Sequence, residues 1–200
     1  MSKGYAIYIF PLEKTKQNKL FHSGGQGSGN FDHSGRPGLV GGSGKGEGEM
    51  SKNIISDLRS SKNEKLYVLD PDGNILQETY GDIGFIDIYE LPSGSLNLVH
   101  NHPDGSNISI GDLRYFSGND KVEQITVVTR DRIQFVRVVD RDRLFRETGK
   151  ASASVNVKMA DGFMEGFITK SNKNEYLMKY TDEAVQQMVD SGIISMSYEE

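Results

Sequence analysis

The 200-residue chain has no cysteine and no tryptophan. The first absence excludes disulfides and thiolate metal sites. Basic charge is not in excess: 23 Lys and Arg stand against 28 Asp and Glu, for a net charge of −5. That balance argues against a general nucleic-acid binder, which would carry a basic stripe or surplus. Long hydrophobic runs are missing too. None approaches the roughly 18 apolar residues of a transmembrane helix, so no membrane partner is expected. The apolar stretch Tyr5–Phe10 lacks a small-residue cleavage site after it and is not read as a signal peptide, so a cytoplasmic setting is expected.

Glycine is plentiful but unevenly spread: it crowds between Gly24 and Gly48. Residues 22–50 cannot bury enough apolar surface to offset their chain entropy, and a disordered linker is expected there. Residues 1–21 read as a short strand-like segment, stopped by Pro11, with a Lys-rich stretch behind it. From residue 51 the pattern is that of a folded protein. Asn53–Ser60 suggests a short helix. Leu66–Leu69 and Ile75–Tyr80 read as a hairpin around Pro71-Asp-Gly-Asn74, with Gly73 able to take positive φ. Phe85–Ile88 reads as a further short strand, and Leu96–His100 as another. Val122–Thr129 and Ile133–Val139 form a second hairpin pattern. Asp140–Thr148 looks helical with Gly149 as its stop, and 173–190 has helical spacing ended by Gly192. The expectation is an α+β domain over 51–150 followed by a helical tail over 151–200.

One segment carries chemistry: Leu98-Val-His100-Asn-His102-Pro-Asp-Gly105-Ser-Asn-Ile-Ser109-Ile-Gly-Asp112. Residues two apart on a strand share a face, so His100 and His102 can meet one metal ion. Pro103 ends the strand. Ser109 and Asp112 have the spacing of a helix N-cap with an acid three residues on, which would bring a carboxylate back to the histidines. Two His and one Asp make three protein ligands, and catalytic zinc sites typically leave the fourth position to water. Zinc there would lower that water's pKa and polarise a carbonyl. An ordinary capping box would supply Ser109 and Asp112 equally well, so the signal lies in the combination with His-x-His-Pro-Asp-Gly.

That combination resembles the RadC-like branch of the JAMM (JAB/MPN) metalloprotein superfamily, whose pattern is H-x-H-P-x-G followed by S-x-x-D. The resemblance covers about residues 65–140 and implies a JAMM/cytidine-deaminase-like mixed sheet with flanking helices. It implies zinc held by His100, His102 and Asp112, with Ser109 steadying the oxyanion of a tetrahedral intermediate. The gap from His102 to Asp112 is one residue shorter than that pattern, so the loop must close more tightly. The superfamily also implies a glutamate general base on an upstream strand. Glu78, on the same strand face as Leu76 and Tyr80, is the first candidate and Glu90 the competitor.

Gly27–Ser43 resembles a G-S-G-N-F-x-H-x-G-R-P-G-x-V-G-G-S segment that recurs in tailed-phage proteins, which implies a phage origin. It holds no phosphate-binding loop: Gly42-Ser-Gly-Lys45 is followed by Gly46. The sequence-level expectation is a phage-encoded zinc hydrolase of an amide, peptide or isopeptide bond. Its substrate would be a protein or peptide, with capsid or portal proteins or a host protein as partners, in the infected host's cytoplasm or the virion. The alternative is a non-catalytic docking or head-morphogenesis module on the same fold. A carboxylate within one water of the metal discriminates the two.

Overall fold

The computed structural model describes residues 52–82, 86, 88 and 90–200. The expected strand at Tyr5–Phe10 and the expected linker at 22–50 lie outside them, as do Phe85 and Asp87 of the expected strand Phe85–Ile88. Among the described residues the chain is mixed α and β. In order come α1 (Lys52–Ser60), β1 (Lys65–Leu69), β2 (Ile75–Tyr80), β3 (Leu96–Asn101), α2 (Ile110–Ser117), β4 (Val122–Val128), β5 (Ile133–Val138), α3 (Arg141–Glu165), α4 (Lys173–Asp190) and β6 (Ile194–Glu199). No described helix is long and apolar enough to cross a membrane.

The strands form one six-stranded sheet in the order β2-β1-β3-β4-β5-β6. The β3–β4 pair is parallel and the other pairs are antiparallel. β1 and β2 meet through the expected turn, where Gly73 has φ 84° and Asp70 Oδ1 accepts the Asn74 N–H at 2.8 Å. A parallel pair needs a crossover, and α2 supplies it.

Both faces of the sheet are covered. Leu66, Val68, Leu98, Ile125, Val127 and Val136 point to one face, against Leu113 and Phe116 of α2, Leu144 of α3 and Val185 and Met188 of α4. Tyr67, Leu69, Val99, Val128 and Ile133 point to the other, against Ile54 and Leu58 of α1. The four-residue spacing of Ile54 and Leu58 sets them on one side of α1. Arg141, at the start of α3, closes the far end of the crossover. Its guanidinium donates to the carbonyls of Phe116, Asn119 and Val122, tying the start of α3 to the end of α2 and the start of β4.

Two expectations are corrected here. Gly149 does not stop a helix: α3 starts at its Asp140 cap and runs on to Gly166, the residue with left-handed φ 84°. Gly149 instead lies against α2, where a Cβ would stand 3.5 Å from Arg114 Nη1. Nor is 151–200 a helical tail. Gly192, at φ 65°, turns the chain out of α4, and Ile194–Glu199 pairs with β5 along its length. Ile193 and Ile194 are buried in the core, so Ile194–Glu199 completes the sheet as its edge strand.

Candidate metal centre

The site is built at the C-terminal end of β3 and the N-terminal end of α2. His100 pairs with Leu66 on β1 and Val127 on β4, so its side chain shares their face, the one covered by α2. His102 lies one residue past β3 and has the same parity. Its N–H donates to the Val128 carbonyl at 3.0 Å, which holds its backbone to β4. Both imidazoles are buried, and their Nε2 atoms stand 3.0 Å apart.

Asp112 comes to them from α2. Ser109 caps that helix, with Asp112 N–H donating to Ser109 Oγ at 3.0 Å and Ser109 N–H donating to Asp112 Oδ2 at 2.8 Å. The expected capping box is therefore present. It turns the carboxylate toward the histidines, with Oδ1 3.6 Å from His100 Nε2 and Oδ2 3.4 Å from His102 Nε2. The shortened loop closes through Asp104-Gly105-Ser106. Gly105, at φ 80°, donates its N–H to the His102 carbonyl at 3.0 Å, and Asp104 Oδ1 accepts the Ser106 N–H at 2.9 Å. The turn aims the Ser106 carbonyl at His102 Nδ1, 3.1 Å away. A proton on Nδ1 leaves the Nε2 lone pair free for a metal.

Among the described residues, His100, His102 and Asp112 form a group able to hold a metal ion. Bonds of 2.0–2.1 Å in a tetrahedral zinc site set ligand atoms about 3.3 Å apart. The two histidine nitrogens are 3.0 Å apart, and each lies 3.4–3.6 Å from a different oxygen of the Asp112 carboxylate, separations of the same order. The electrostatics agree. Burial alone would push the Asp112 carboxyl up, but the two imidazoles beside it hold it well below the usual carboxylate range. Burial would lower His102, but the Asp112 carboxylate outweighs it and raises the imidazole to about 9.

The other expected site residues fall elsewhere. Glu78 is not brought to the triad. It pairs with Tyr67, one residue out of step with Leu66 and His100, and so lies on the α1 face. There Lys65 Nζ reaches Glu78 Oε1 at 2.6 Å and Asp57 Oδ2 at 2.7 Å. Burial would raise Glu78, but Lys65 and the Tyr80 hydroxyl, which donates to it, leave it lowered. That carboxylate is held ionised by a lysine and does not face the metal site. Glu90 is exposed, in the connection before β3. The Ser109 hydroxyl donates to Asp112 Oδ2 at 2.7 Å, so its single proton is committed to orienting a ligand and not to an oxyanion.

The residue that reasoning from sequence missed is Glu64. The β1–β3 register pairs Leu66 with His100. The pairing ends there, but Glu64 stands two residues before Leu66 and shares its parity, and its carboxyl lies close enough to His102, Asp112 and Asp104 for their charges to act on it. Burial raises Glu64 to about 7; nearby His102 lowers it, while Asp112 and Asp104 raise it. No local pattern in the sequence marks it: only the antiparallel pairing of β1 with β3 brings the start of β1 to the end of the histidine strand.

No protein-family model matches the chain, no curated protein matches it in sequence, and no solved structure matches it in fold.

Proposed function

We propose that this protein is a zinc-dependent hydrolase of an amide, peptide or isopeptide bond, built on a JAMM-like fold of the RadC-like branch. The observation that carries the reading is the convergence of His100, His102 and Asp112 with Glu64, a raised carboxyl, beside them. Zinc held by the three side chains would supply Lewis acidity, lowering the pKa of a coordinated water and polarising the bond to be cut. Glu64 accepts the proton of the attacking water on its carboxylate and returns it to the leaving nitrogen. Burial holds that carboxyl near 7 in the metal-free protein, and a bound cation would draw it toward the ionised form that a general base needs. Ser109 holds Asp112 in place, and the Ser106 carbonyl holds His102 in the tautomer that presents Nε2. A carboxylate beside the ligands supports the enzyme over a docking module on the same fold. The Gly27–Ser43 resemblance supports a phage setting, with a phage structural protein or host protein as substrate.

The test is incubation of the zinc-loaded protein with a mixed library of peptides and Lys-linked isopeptides, read by mass spectrometry. New amine and carboxyl ends that vanish with chelator and with Glu64→Gln are expected. Chelator-insensitive cleavage, or none with full zinc loading, would remove the hydrolase reading.

A further inference from the structure

His100 and His102 are separated by Asn101, whose side chain goes to the opposite face of β3 and is 2 % exposed. A buried amide needs partners for both its oxygen and its nitrogen. Here they are the peptide groups on either side of Glu64. Asn101 Oδ1 accepts the Lys65 N–H at 2.7 Å. Asn101 Nδ2 donates to the Asn63 carbonyl at 3.1 Å and reaches the Ser61 carbonyl at 3.5 Å. Glu64's own backbone is held from the other side: its N–H donates to the Asp82 carbonyl at 3.2 Å and its carbonyl accepts the Gly81 N–H at 2.9 Å. The residue pairing of β1 with β3 ends at Leu66 and His100. Beyond it, the link from β3 to the Glu64 segment is the Asn101 side chain.

We propose that Asn101 is a positioning residue for Glu64. Its amide clamps the chain before and after the glutamate, and so sets the carboxyl's place against the two flanking histidines. One residue of β3 thereby ties the proton carrier to the ligand strand: a shift of β3 that moves His100 and His102 carries Glu64 with it. The inference rests on Glu64 serving the metal site, as proposed above. It explains why an amide suits this position, since a hydroxyl or an apolar side chain cannot serve an N–H and a C=O two residues apart.

The experiment is NMR on the full chain, metal-free and then with Co2+ as a paramagnetic probe, for wild type, Asn101→Ala, Asn101→Asp and Tyr67→Phe. In Asn101→Ala, Lys65 amide exchange is expected to quicken about tenfold or more, the loss of one buried hydrogen bond. The Glu64 carboxyl carbon should shift, and its broadening by Co2+ should fall, while Co2+ affinity stays within about threefold because no ligand is removed. Asn101→Asp keeps the acceptor for Lys65 and loses the donor to Asn63. It should leave Lys65 protected yet still move Glu64, and it serves if the alanine variant does not fold. Tyr67→Phe, which loses a hydrogen bond to Asp57, should change neither signal. Unchanged Lys65 exchange, or faster exchange with the Glu64 carbon unmoved, would overturn the positioning role. Failure of the underlying reading looks different: wild type takes up no Co2+, while the metal-free Lys65 and Glu64 signals still judge Asn101.

Discussion

The Nε2 atoms of His100 and His102 stand 3.0 Å apart, closer to each other than either is to the Asp112 carboxylate. Two lone-pair nitrogens at that distance repel unless a proton or a metal lies between or beside them. One zinc per chain is therefore expected, with the His100→Ala/His102→Ala variant losing it. Asp112→Ala should also lose metal, since only two ligands remain. Elemental analysis after zinc-replete purification checks this; a metal-free wild type would refute the site.

Metal uptake should release protons. His102 is raised to about 9, so in the metal-free protein at neutral pH it carries a proton that zinc must displace. Zinc affinity is expected to rise as pH rises toward 9. The stability of the metal-free protein runs the other way. A raised imidazole contributes stability that is fully present below its unfolded value near 6.5 and is lost as pH climbs through 9. Calorimetric titration in buffers of differing ionisation enthalpy, with thermal melts of the metal-free protein, reads both trends.

Glu64→Gln and Glu78→Gln separate the two carboxylates. The first should lower turnover about 10²–10⁴-fold, the loss typical of a missing general base, with zinc still bound. The second should leave turnover intact. Glu78 is more than a third exposed, so its loss should cost no more than about 1 kcal/mol, as for a surface pair.

Removing both partners of Lys65 is a different matter. Its ammonium is buried, and Asp57→Asn with Glu78→Gln leaves it uncompensated, at a cost of about 3–5 kcal/mol. Asp57 and Glu78 both sit below their ordinary values, Lys65 overcoming the burial that would raise them. Such groups contribute stability above their unfolded values, lost as pH falls through the folded ones. Urea melts from pH 6 down to 3 should show acid sensitivity that is weaker in the double variant.

Gly162 tests the packing of the segment after α3. A Cβ there would stand 2.6 Å from Ile168 Cγ1 and 2.9 Å from Phe167 Cε2. Ile168 is buried and cannot swing away. Gly162→Ala should destabilise by about 1–3 kcal/mol through overpacking, with zinc binding unchanged. A melting temperature equal to wild type would contradict it.

The sequence by itself determined several local elements and the group of side chains that could hold a metal ion. The hairpin over 66–80, the helical spacing of 173–190 and the capping box at Ser109 are short-range patterns, and His100 and His102 share a face because a strand has period two. Asp112 was legible because a capping box returns its acid to the start of its own helix. Tertiary structure alone decided what depends on pairing between distant strands. Glu78 and Glu64 both belong to the β1–β2 hairpin; the hairpin register turns Glu78 to Lys65, and the pairing of β1 with β3 decides that the face carrying the histidines is that of Leu66 and not that of Tyr67. A one-residue slip would exchange the faces. The same holds for Ile194–Glu199, which became a strand because β5 offered it an edge. Strand pairing joins residues far apart in the chain, and no local spacing within either strand records which partner it will meet.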